Sequence, residues 1–442
     1  MPRAVGDLFE QVFTALSASG TPWLALRGVG PFAGPSDDVD VLVGTTSRRS
    51  IDALLAGTSF VRVPPRGAGS HRFPLRVREH EFRAYDEDID AWVDLDMLTE
   101  VAFGPDLEFR TRLSSELLAR RRRVDGVFGL HPSDEFWFLV THDLLKRGDL
   151  ASYRRGPLAA AAEGVSLDGP VQRLVEDLAP GSVARLRQAV VDDDRRAVVD
   201  LGSALRRSWE ASYPLGVQSV RTVGRVVRGL PSLRERGLSV ALLGPDGAGK
   251  TTLAQSLRRT IPMPSGYVYL GIWRDSRFES ALQHVLGARL AVRMVSLVGK
   301  SGWIVVQRRL GRLVVLDRYT ADADLPYDRR DWKGRVSAVL VRRTVPEPDL
   351  VVVLDAPGRL MFDRKGEHTV AELQASRDNY VRMVGSFRHS AIIDASAPPD
   401  VVRRRATTLI WRRWSGRDLS EPVHGVPPEG NVSFLRKGVR EH

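Results

Sequence analysis

The chain has 442 residues, which is more than a single hydrophobic core usually serves, so two or three domains are predicted. It contains no cysteine, which excludes disulfides, thiolate metal sites and cysteine nucleophiles. Its net charge of +11 would suit a nucleic acid, but 59 of the 65 basic residues are arginine and no recognition motif accompanies them. That skew is more typical of codon bias, so we do not expect a nucleic acid partner.

The first hundred residues alternate short apolar runs with turns, as in a small α/β unit. TPWLALRG, DVDVLVG, SFVRVP and DIDAWVDLDML predict strands, and the segment from Ser50 to Leu55 predicts a helix. Asp38 and Asp40 are two residues apart on one predicted strand, so both should face the same side, and Asp94 and Asp96 repeat that spacing. Mg²⁺ prefers such converging carboxylates. The candidate Mg²⁺ ligands in this region are Asp38, Asp40 and Asp94.

This order of a glycine turn, Asp-x-Asp and a later strand acid resembles the nucleotidyltransferase superfamily, over roughly residues 10 to 125. The resemblance implies that family's fold and, in an active member, nucleotidyl transfer. One position departs from the family pattern, since Gly28-Val29 stands where Gly-Ser is usual and a hydroxyl near the triphosphate is missing. An inactive member that binds nucleotide or recognises an acceptor is the alternative.

From His131 to about Arg228 the apolar spacing becomes helical, which predicts a helical module or connector. Beyond PSLRERG, strands and helices alternate, as in a doubly wound parallel sheet with crossover helices. The five predicted strands of this α/β sheet run from Leu238 to Leu243, Tyr267 to Leu270, Leu313 to Leu316, Leu350 to Leu354 and Ala391 to Ile393.

The first of these strands leads into a phosphate loop. LSVALLGPDGAGKTTLAQSLRR matches G-x-x-x-x-G-K-[ST], with an apolar strand before the loop and an amphipathic helix after it. Such glycines let backbone N–H groups point at phosphate oxygens, and the helix N-terminus adds partial positive charge. Lys250 is predicted to reach the β- and γ-phosphates of ATP, and Thr251 to bind Mg²⁺. The candidate nucleotide-binding residues are Gly244, Asp246, Gly247, Ala248, Gly249, Lys250, Thr251 and Thr252.

A second Mg²⁺ ligand is expected at the end of the third strand. GRLVVLDRYTADADL places Asp317 where a Walker B acid would lie, on a strand that a doubly wound sheet sets beside the phosphate loop. A strand-end cap is the alternative role. The sequence therefore predicts that Thr251 and Asp317 hold the ion.

Three motifs in order, GPDGAGKTT, Asp317-Arg318-Tyr319 and PDLVVVLDAPGRLMFDRKGEHTVAEL, resemble the thymidylate kinase family over roughly residues 238 to 412. The resemblance implies transfer of the γ-phosphoryl group of ATP to a nucleoside monophosphate. It also implies that Asp246 approaches the acceptor's sugar hydroxyl, that Arg318 holds the acceptor phosphate, and that Arg364 and Lys365 belong to a closing lid. The predicted catalytic residues are Lys250, Asp317, Arg318 and Arg364.

The family's base-recognition helix has no clear counterpart between the second and third strands. The aromatic and basic side chains that could recognise a base there are Trp273, Arg274, Arg277 and Phe278. The identity of the acceptor therefore stays open.

The sequence predicts a nucleotidyltransferase-like domain at 1–127, a helical domain or connector at 128–232, a thymidylate-kinase-like P-loop domain at 233–415 and a flexible tail at 416–442. The predicted function is ATP- and Mg²⁺-dependent phosphotransfer to a thymidylate-like nucleoside monophosphate or a related small metabolite. One alternative is nucleotidyl transfer at the N-terminal acids with a regulatory P-loop domain. The other is a binding protein that uses ATP as a switch.

No apolar stretch of about 18 residues occurs and the first twenty residues do not resemble a leader, so we expect a cytoplasmic protein. The segment from Ala288 to Arg312 is basic and apolar, as in a helix on a membrane surface. Crossover helices need apolar faces in any case, so contact with a membrane surface is not expected. The oligomeric state, including a homodimer, is left open.

Overall fold

The computed structural model describes residues 3–29, 38–44, 48–63, 79–105, 107, 109–212, 237–270, 288–319, 344–417 and 432–434. The chain divides into two compact units, Met1–Pro231 and Ser232–His442. None of the helices in the described ranges has the length and apolar character needed to cross a membrane.

The N-terminal unit is built on a mixed sheet, with seven described strands in the order β3-β4-β5-β2-β1-β9-β8. Strand β2 runs parallel to β5 and antiparallel to β1, so that Asp40 lies beside Asp96 in register. The sequence pattern did not mark β4, the antiparallel neighbour of β5. The strands are β1 (Trp23–Arg27), β2 (Val39–Val43), β3 (Val61–Arg62), β4 (Glu79–Asp86), β5 (Ala91–Leu98), β8 (Arg122–Val124) and β9 (Val127–Gly129), with β6 (Ala102–Phe103) and β7 (Phe109–Arg110) forming a separate pair.

Helices cover both faces of this sheet. The alternation along β5 sends Val93, Leu95 and Met97 into a core with α1 and α2, whereas Asp94 and Asp96 face the other side. On that other side, apolar residues of β1 and β2 share one core with α4 to α8. The helices are α1 (Arg3–Ala18), α2 (Arg48–Leu55), α3 (Ser114–Arg120), α4 (Pro132–Arg147), α5 (Ser152–Ala162), α6 (Pro170–Leu178), α7 (Ser182–Val191) and α8 (Arg195–Ala211).

The helical segment and the small sheet thus lie in one compact unit. The predicted boundary between 127 and 128 stays a prediction.

The C-terminal unit contains the predicted parallel sheet. Five strands run parallel in the order β11-β12-β10-β13-β14, each within two residues of its predicted bounds. Strands β10, β12 and β13 are almost wholly buried, which explains their continuous apolar sequences. The parallel strands are β10 (Leu238–Leu243), β11 (Ser265–Tyr269), β12 (Leu313–Asp317), β13 (Leu350–Asp355) and β14 (Ser390–Asp394).

Crossover helices pack on both faces of this sheet, as a doubly wound fold requires. Strand β10 lies between β12 and β13, so β11 and β12 are on one side of it and β13 and β14 are on the other. This change of direction in the strand order predicts a crevice at the carboxyl ends of these strands. The helices are α9 (Lys250–Thr260), α10 (Ala288–Arg309), α11 (Gly358–Lys365), α12 (Val370–Met383) and α13 (Pro399–Ser415).

Two predicted regions fall largely outside the described residues. The candidate base-recognition residues between Trp273 and Phe278 lie there, as does most of the predicted tail at 416–442. Within that tail, β15 (Val432–Phe434) pairs antiparallel with β14 and adds a sixth strand to the sheet.

Candidate active site

A cavity of about 1360 Å³ lies at the carboxyl ends of the parallel strands. The loop between β10 and α9 forms one wall, and the ends of β11 and β12 and the start of α13 form others. The predicted residues that line this cavity are Asp246, Gly247, Ala248, Gly249, Lys250, Thr251, Thr252, Asp317, Arg318 and Arg364. Side chains far apart in sequence are therefore brought to one space.

Two glycines of the loop are required by its backbone. Gly244 has φ +140°, and a Cβ there would lie 2.8 Å from the carbonyl oxygen of Leu354. Gly247 has φ +86°, and its Cβ would lie 2.6 Å from the carbonyl oxygen of Met361. Larger residues would be strained and would also clash, so these glycines hold the loop close against β13 and α11.

Lys250 is the first residue of α9 and is buried. Its Nζ donates to the carbonyl oxygens of Gly244 and Pro245, both at 2.7 Å, so the ammonium lies over its own loop. The N-terminus of α9 adds partial positive charge at the same place. Phosphate is the ligand for which a cation at a helix N-terminus is best suited.

Asp317 ends β12 directly beside the phosphate-loop strand, opposite Leu242 in register, and only 1% of its surface is exposed. Thr251 donates from Oγ1 to Oδ2 of Asp317 at 2.7 Å. The two predicted Mg²⁺ ligands therefore touch each other. Hydroxyl and carboxylate oxygens are hard donors, so this pair fits a Mg²⁺ ion.

Tyr267 also contacts this carboxylate, donating from its hydroxyl to the same Oδ2 at 2.8 Å. Burial, together with the hydrogen bond to Asp317, raises the pKa of Tyr267 to about 12. The sequence analysis did not identify this residue as part of the site. The available signal was the alternation of β11, which places Tyr267 and Tyr269 on one face.

Arg318 follows β12 with φ +69°, a conformation that side chains other than glycine adopt at a cost of about 1 kcal/mol or more. Its backbone N–H donates to the carbonyl oxygen of Leu242 at 3.2 Å, and its Nη2 donates to Oδ1 of Asp246 at 2.5 Å. The unusual backbone therefore aims the guanidinium at the phosphate loop. The two residues that the thymidylate kinase resemblance assigns to the acceptor are in direct contact.

Two further basic side chains, from the segment around the end of α11, lie near Asp246. Lys365 Nζ lies 3.6 Å from its carboxylate and His368 Nε2 lies 3.7 Å from it. Burial alone would raise the pKa of Asp246, but the charges of Arg318, Lys250 and Lys365 outweigh it and lower that pKa. Asp246 is thus held as an anion that links the loop to this segment.

Arg364, predicted to act in catalysis from a lid, is anchored to the cavity wall. Both of its Nη atoms donate to the carbonyl oxygen of Ala395, at 3.2 Å, in the segment after β14. Helix α11 ends one residue later, at Lys365, and Gly366 follows it in the left-handed conformation. Closure of a lid, and a catalytic role for Arg364, stay predictions.

The N-terminal carboxylates are arranged differently from the predicted set. Asp40 is paired with buried Arg27, which donates through Nε and, at 3.1 Å, through Nη2. Asp94 is paired with Arg83 in the same two-bonded manner, with Nη2 3.0 Å from Oδ2. A guanidinium thus occupies one side of each carboxylate.

A small cavity of about 110 Å³ is lined in part by the Arg27–Asp40 pair. Three carboxylates line it, and the third is Asp96 rather than the predicted Asp94, since Asp96 is the register partner of Asp40. The full lining is Arg27, Asp38, Asp40, Asp96, Leu98, Gly104, Pro105, Leu107, His142 and Lys146.

In the described ranges, the predicted set of Asp38, Asp40 and Asp94 does not bring its ligand atoms within 4.8 Å of one another. The group that does so is Asp246, Glu367 and His368, on the phosphate-loop side. Lys365 Nζ lies 2.7 Å from Glu367 and already balances those acids. Mg²⁺ binding by Asp38, Asp40 and Asp94 therefore stays a prediction, and Asp40 and Asp94 are paired with Arg27 and Arg83.

Known proteins resemble part of the chain. The thymidylate kinase of Xanthomonas campestris pv. campestris (strain B100) is 29% identical over 226 residues, which cover 46% of this chain and 95% of that kinase. The thymidylate kinase of Xanthomonas euvesicatoria pv. vesicatoria (strain 85-10) is 28% identical over 232 residues, 47% of this chain and 97% of the kinase.

A phosphonates import ATP-binding protein, PhnC 1 of Pseudomonas syringae pv. tomato (strain ATCC BAA-871 / DC3000), is 32% identical over 186 residues, 36% of this chain and 70% of that protein. No family model matches the chain. The similarity to both kinds of relative agrees with the phosphate loop and the parallel sheet around it. The chain therefore belongs to the P-loop ATP-binding proteins and contains a kinase-like region.

Proposed function

We propose that the C-terminal unit is an ATP- and Mg²⁺-dependent phosphotransferase that moves the γ-phosphoryl group to a thymidylate-like nucleoside monophosphate or a related small metabolite. The observation that carries this proposal is the presence of two sets of groups in one cavity. One set is the phosphate loop with Lys250, Thr251 and Asp317. The other is the ion pair of Arg318 and Asp246, which a simple nucleotide switch would not need.

The first set suits the phosphoryl donor. Phosphoryl transfer depends mainly on positioning and charge neutralisation, which the loop N–H groups, the α9 N-terminus and Lys250 supply. Thr251 and Asp317 would hold Mg²⁺, and the bound ion would neutralise charge on the phosphates.

The second set suits an acceptor that carries both a phosphate and a hydroxyl group. The guanidinium of Arg318 matches phosphate geometry, and the ionised carboxylate of Asp246 accepts a hydrogen bond from a hydroxyl. Pockets for one small ligand are commonly about 300 to 1,000 Å³, and the present cavity of about 1360 Å³ exceeds that range. The relatives named thymidylate kinase support a nucleotide acceptor.

Nucleotidyl transfer by the N-terminal unit has less support in the described part of the chain. Asp38, Asp40 and Asp96 line a cavity of about 110 Å³ there, which is far smaller than the cavity of about 1360 Å³ at the phosphate loop. The kinase hypothesis therefore explains more of the structure.

The test uses ATP labelled at the γ-phosphate, with a panel of nucleoside monophosphates, nucleosides and phosphosugars. We expect label to appear on at least one acceptor, and Lys250→Ala to reduce the rate by about 100-fold to 1000-fold. Lys300→Ala is the matched control, since Lys300 lies outside the cavity lining and donates to the carbonyl of Tyr269. We expect that control to stay within about threefold of the parent.

Other outcomes would contradict the proposal. Label found only in free phosphate would indicate hydrolysis or a switch. Transfer of α-label that Asp38→Ala abolishes would favour nucleotidyl transfer. An equal loss in Lys300→Ala would show that the effect of Lys250→Ala is not specific to the phosphate loop.

A further inference from the structure

Tyr267 occupies an unusual position next to the proposed Mg²⁺ site. Its hydroxyl lies 2.8 Å from Oδ2 of Asp317, yet its side chain does not line the cavity, whereas Tyr269 on the same strand does. Its ring is covered by Arg258 of α9, whose guanidinium carbon lies 5.8 Å from the ring centroid. Among the described residues, Tyr267 therefore contacts the site through Asp317.

The hydrogen bonds at Asp317 are unevenly shared between its two oxygens. Oδ2 accepts from both Thr251 and Tyr267, at 2.7 Å and 2.8 Å. One carboxylate oxygen has two lone-pair sites, so both sites of Oδ2 are filled. The other oxygen, Oδ1, has no hydrogen-bond partner among the described residues and is the one left for a cation.

The two donors to Oδ2 have different origins and different effects. Thr251 is itself a proposed ligand at the start of α9, so its hydroxyl must serve both the ion and the carboxylate. Tyr267 comes from β11, on the other side of β12, and a phenol protonated at neutral pH can only donate to a carboxylate. The tyrosine therefore fixes the rotation of the Asp317 side chain independently of any ligand.

We propose that Tyr267 is a positioning residue of the Mg²⁺ site, which orients Asp317 so that Oδ1 faces the bound ion. Partners of metal ligands commonly tune affinity in this way, and their removal typically weakens metal binding about 10-fold to 100-fold. The inference rests on the proposed function, because MgATP is the ligand which that function supplies. It adds a residue that the phosphate-loop motifs do not contain.

A binding experiment without turnover tests this role. ADP affinity is measured by calorimetry across a Mg²⁺ series and in EDTA, for the parent, Tyr267→Phe and Tyr85→Phe. Phenylalanine keeps the ring beneath Arg258 and removes only the hydroxyl. Tyr85→Phe is the matched control, since the Tyr85 hydroxyl also donates to an aspartate at 2.8 Å, that of Asp90 in the N-terminal unit.

We expect Tyr267→Phe to need about 10-fold more Mg²⁺ for the same gain in ADP affinity, with its affinity in EDTA unchanged. The control should need the same Mg²⁺ as the parent. If the phenylalanine variant does not fold, Tyr267→His, which keeps a ring N–H donor, should need less than a 10-fold increase.

The outcomes separate this inference from the function on which it rests. A parent that gains no ADP affinity from Mg²⁺ would overturn both. A parent that depends on Mg²⁺, together with an unchanged Tyr267→Phe, would overturn the role of Tyr267 alone. An equal shift in Tyr85→Phe would show that loss of any tyrosine hydroxyl bonded to an aspartate suffices, and would also overturn it.

Discussion

Asp317 in the C-terminal unit and Asp40 in the N-terminal unit are both buried carboxylates on strands with parallel neighbours, but their partners differ. Asp317 accepts from two neutral hydroxyls, those of Thr251 and Tyr267. Asp40 is bonded on both oxygens by the guanidinium of Arg27. A carboxylate with neutral donors keeps its charge for a cation, whereas one with an arginine has its charge already balanced.

The largest effect is expected at Asp317. Asp317→Asn removes the charge but keeps an oxygen for Thr251 and Tyr267, so phosphoryl transfer should fall about 100-fold while the fold is retained. Steady-state rates across a Mg²⁺ series would measure this, with urea unfolding as the check on stability. A variant with parental rates would remove the reason for treating Asp317 differently from Asp40.

The next effect is on stability and concerns Asp40. Asp40→Asn removes the charge that is paired with buried Arg27, so the free energy of unfolding of the N-terminal unit should fall by about 3 kcal/mol. Hydrogen exchange of the β1 and β2 amides across a urea series would measure this loss of free energy. The double variant Arg27→Met with Asp40→Leu removes both charges and should lose much less, and an equal loss would point to packing rather than charge.

A smaller effect is expected at Glu135, a carboxylate of the N-terminal unit that is mostly buried. Burial raises the pKa of Glu135 from 4.5 to about 7. The folded-state pKa of Glu135 lies above the unfolded one. The contribution of protonated Glu135 to the free energy of unfolding is therefore fully present below about pH 4.5 and is lost as the pH rises through about 7. The loss should be about 2 kcal/mol, after allowance for the part of the side chain that water reaches.

Hydrogen exchange of the α4 amides across this pH range would measure that loss. Glu135→Gln removes the titrating group, and its stability should be flat over the same window. A parent whose stability rises from pH 4.5 to pH 7 in this unit would contradict the expected sign, and would show that another group dominates.

The phosphate loop and its sheet could be predicted because their determinants are local. A buried parallel strand needs a continuous apolar run, and the loop needs glycine at positive φ, as at Gly244 and Gly247. Asp317 could be placed beside the loop because a doubly wound sheet has few allowed strand orders. These features are written in short segments of sequence.

The partners of the carboxylates could not be predicted in the same way. Whether Asp94 or Asp96 joins Asp40 depends on the register of β2 and β5, and Asp96 is the partner in register. Asp94 is ion-paired with Arg83, which lies on strand β4, and the sequence pattern did not predict that strand. In a protein with 59 arginines, the sequence does not show which guanidinium lies beside which acid.

The sequence by itself therefore determined the phosphate loop, the five parallel strands and the acids available to bind a cation, because motif spacing and apolar periodicity are properties of neighbouring residues. Only the tertiary structure decided which hydroxyl or basic groups lie beside each acid. Tyr267 reaches Asp317 from another strand, and Arg27 reaches Asp40 across a pair of strands. Strand order and register fix those distances. They therefore decide whether a carboxylate lies beside a neutral hydroxyl or beside a guanidinium that balances its charge.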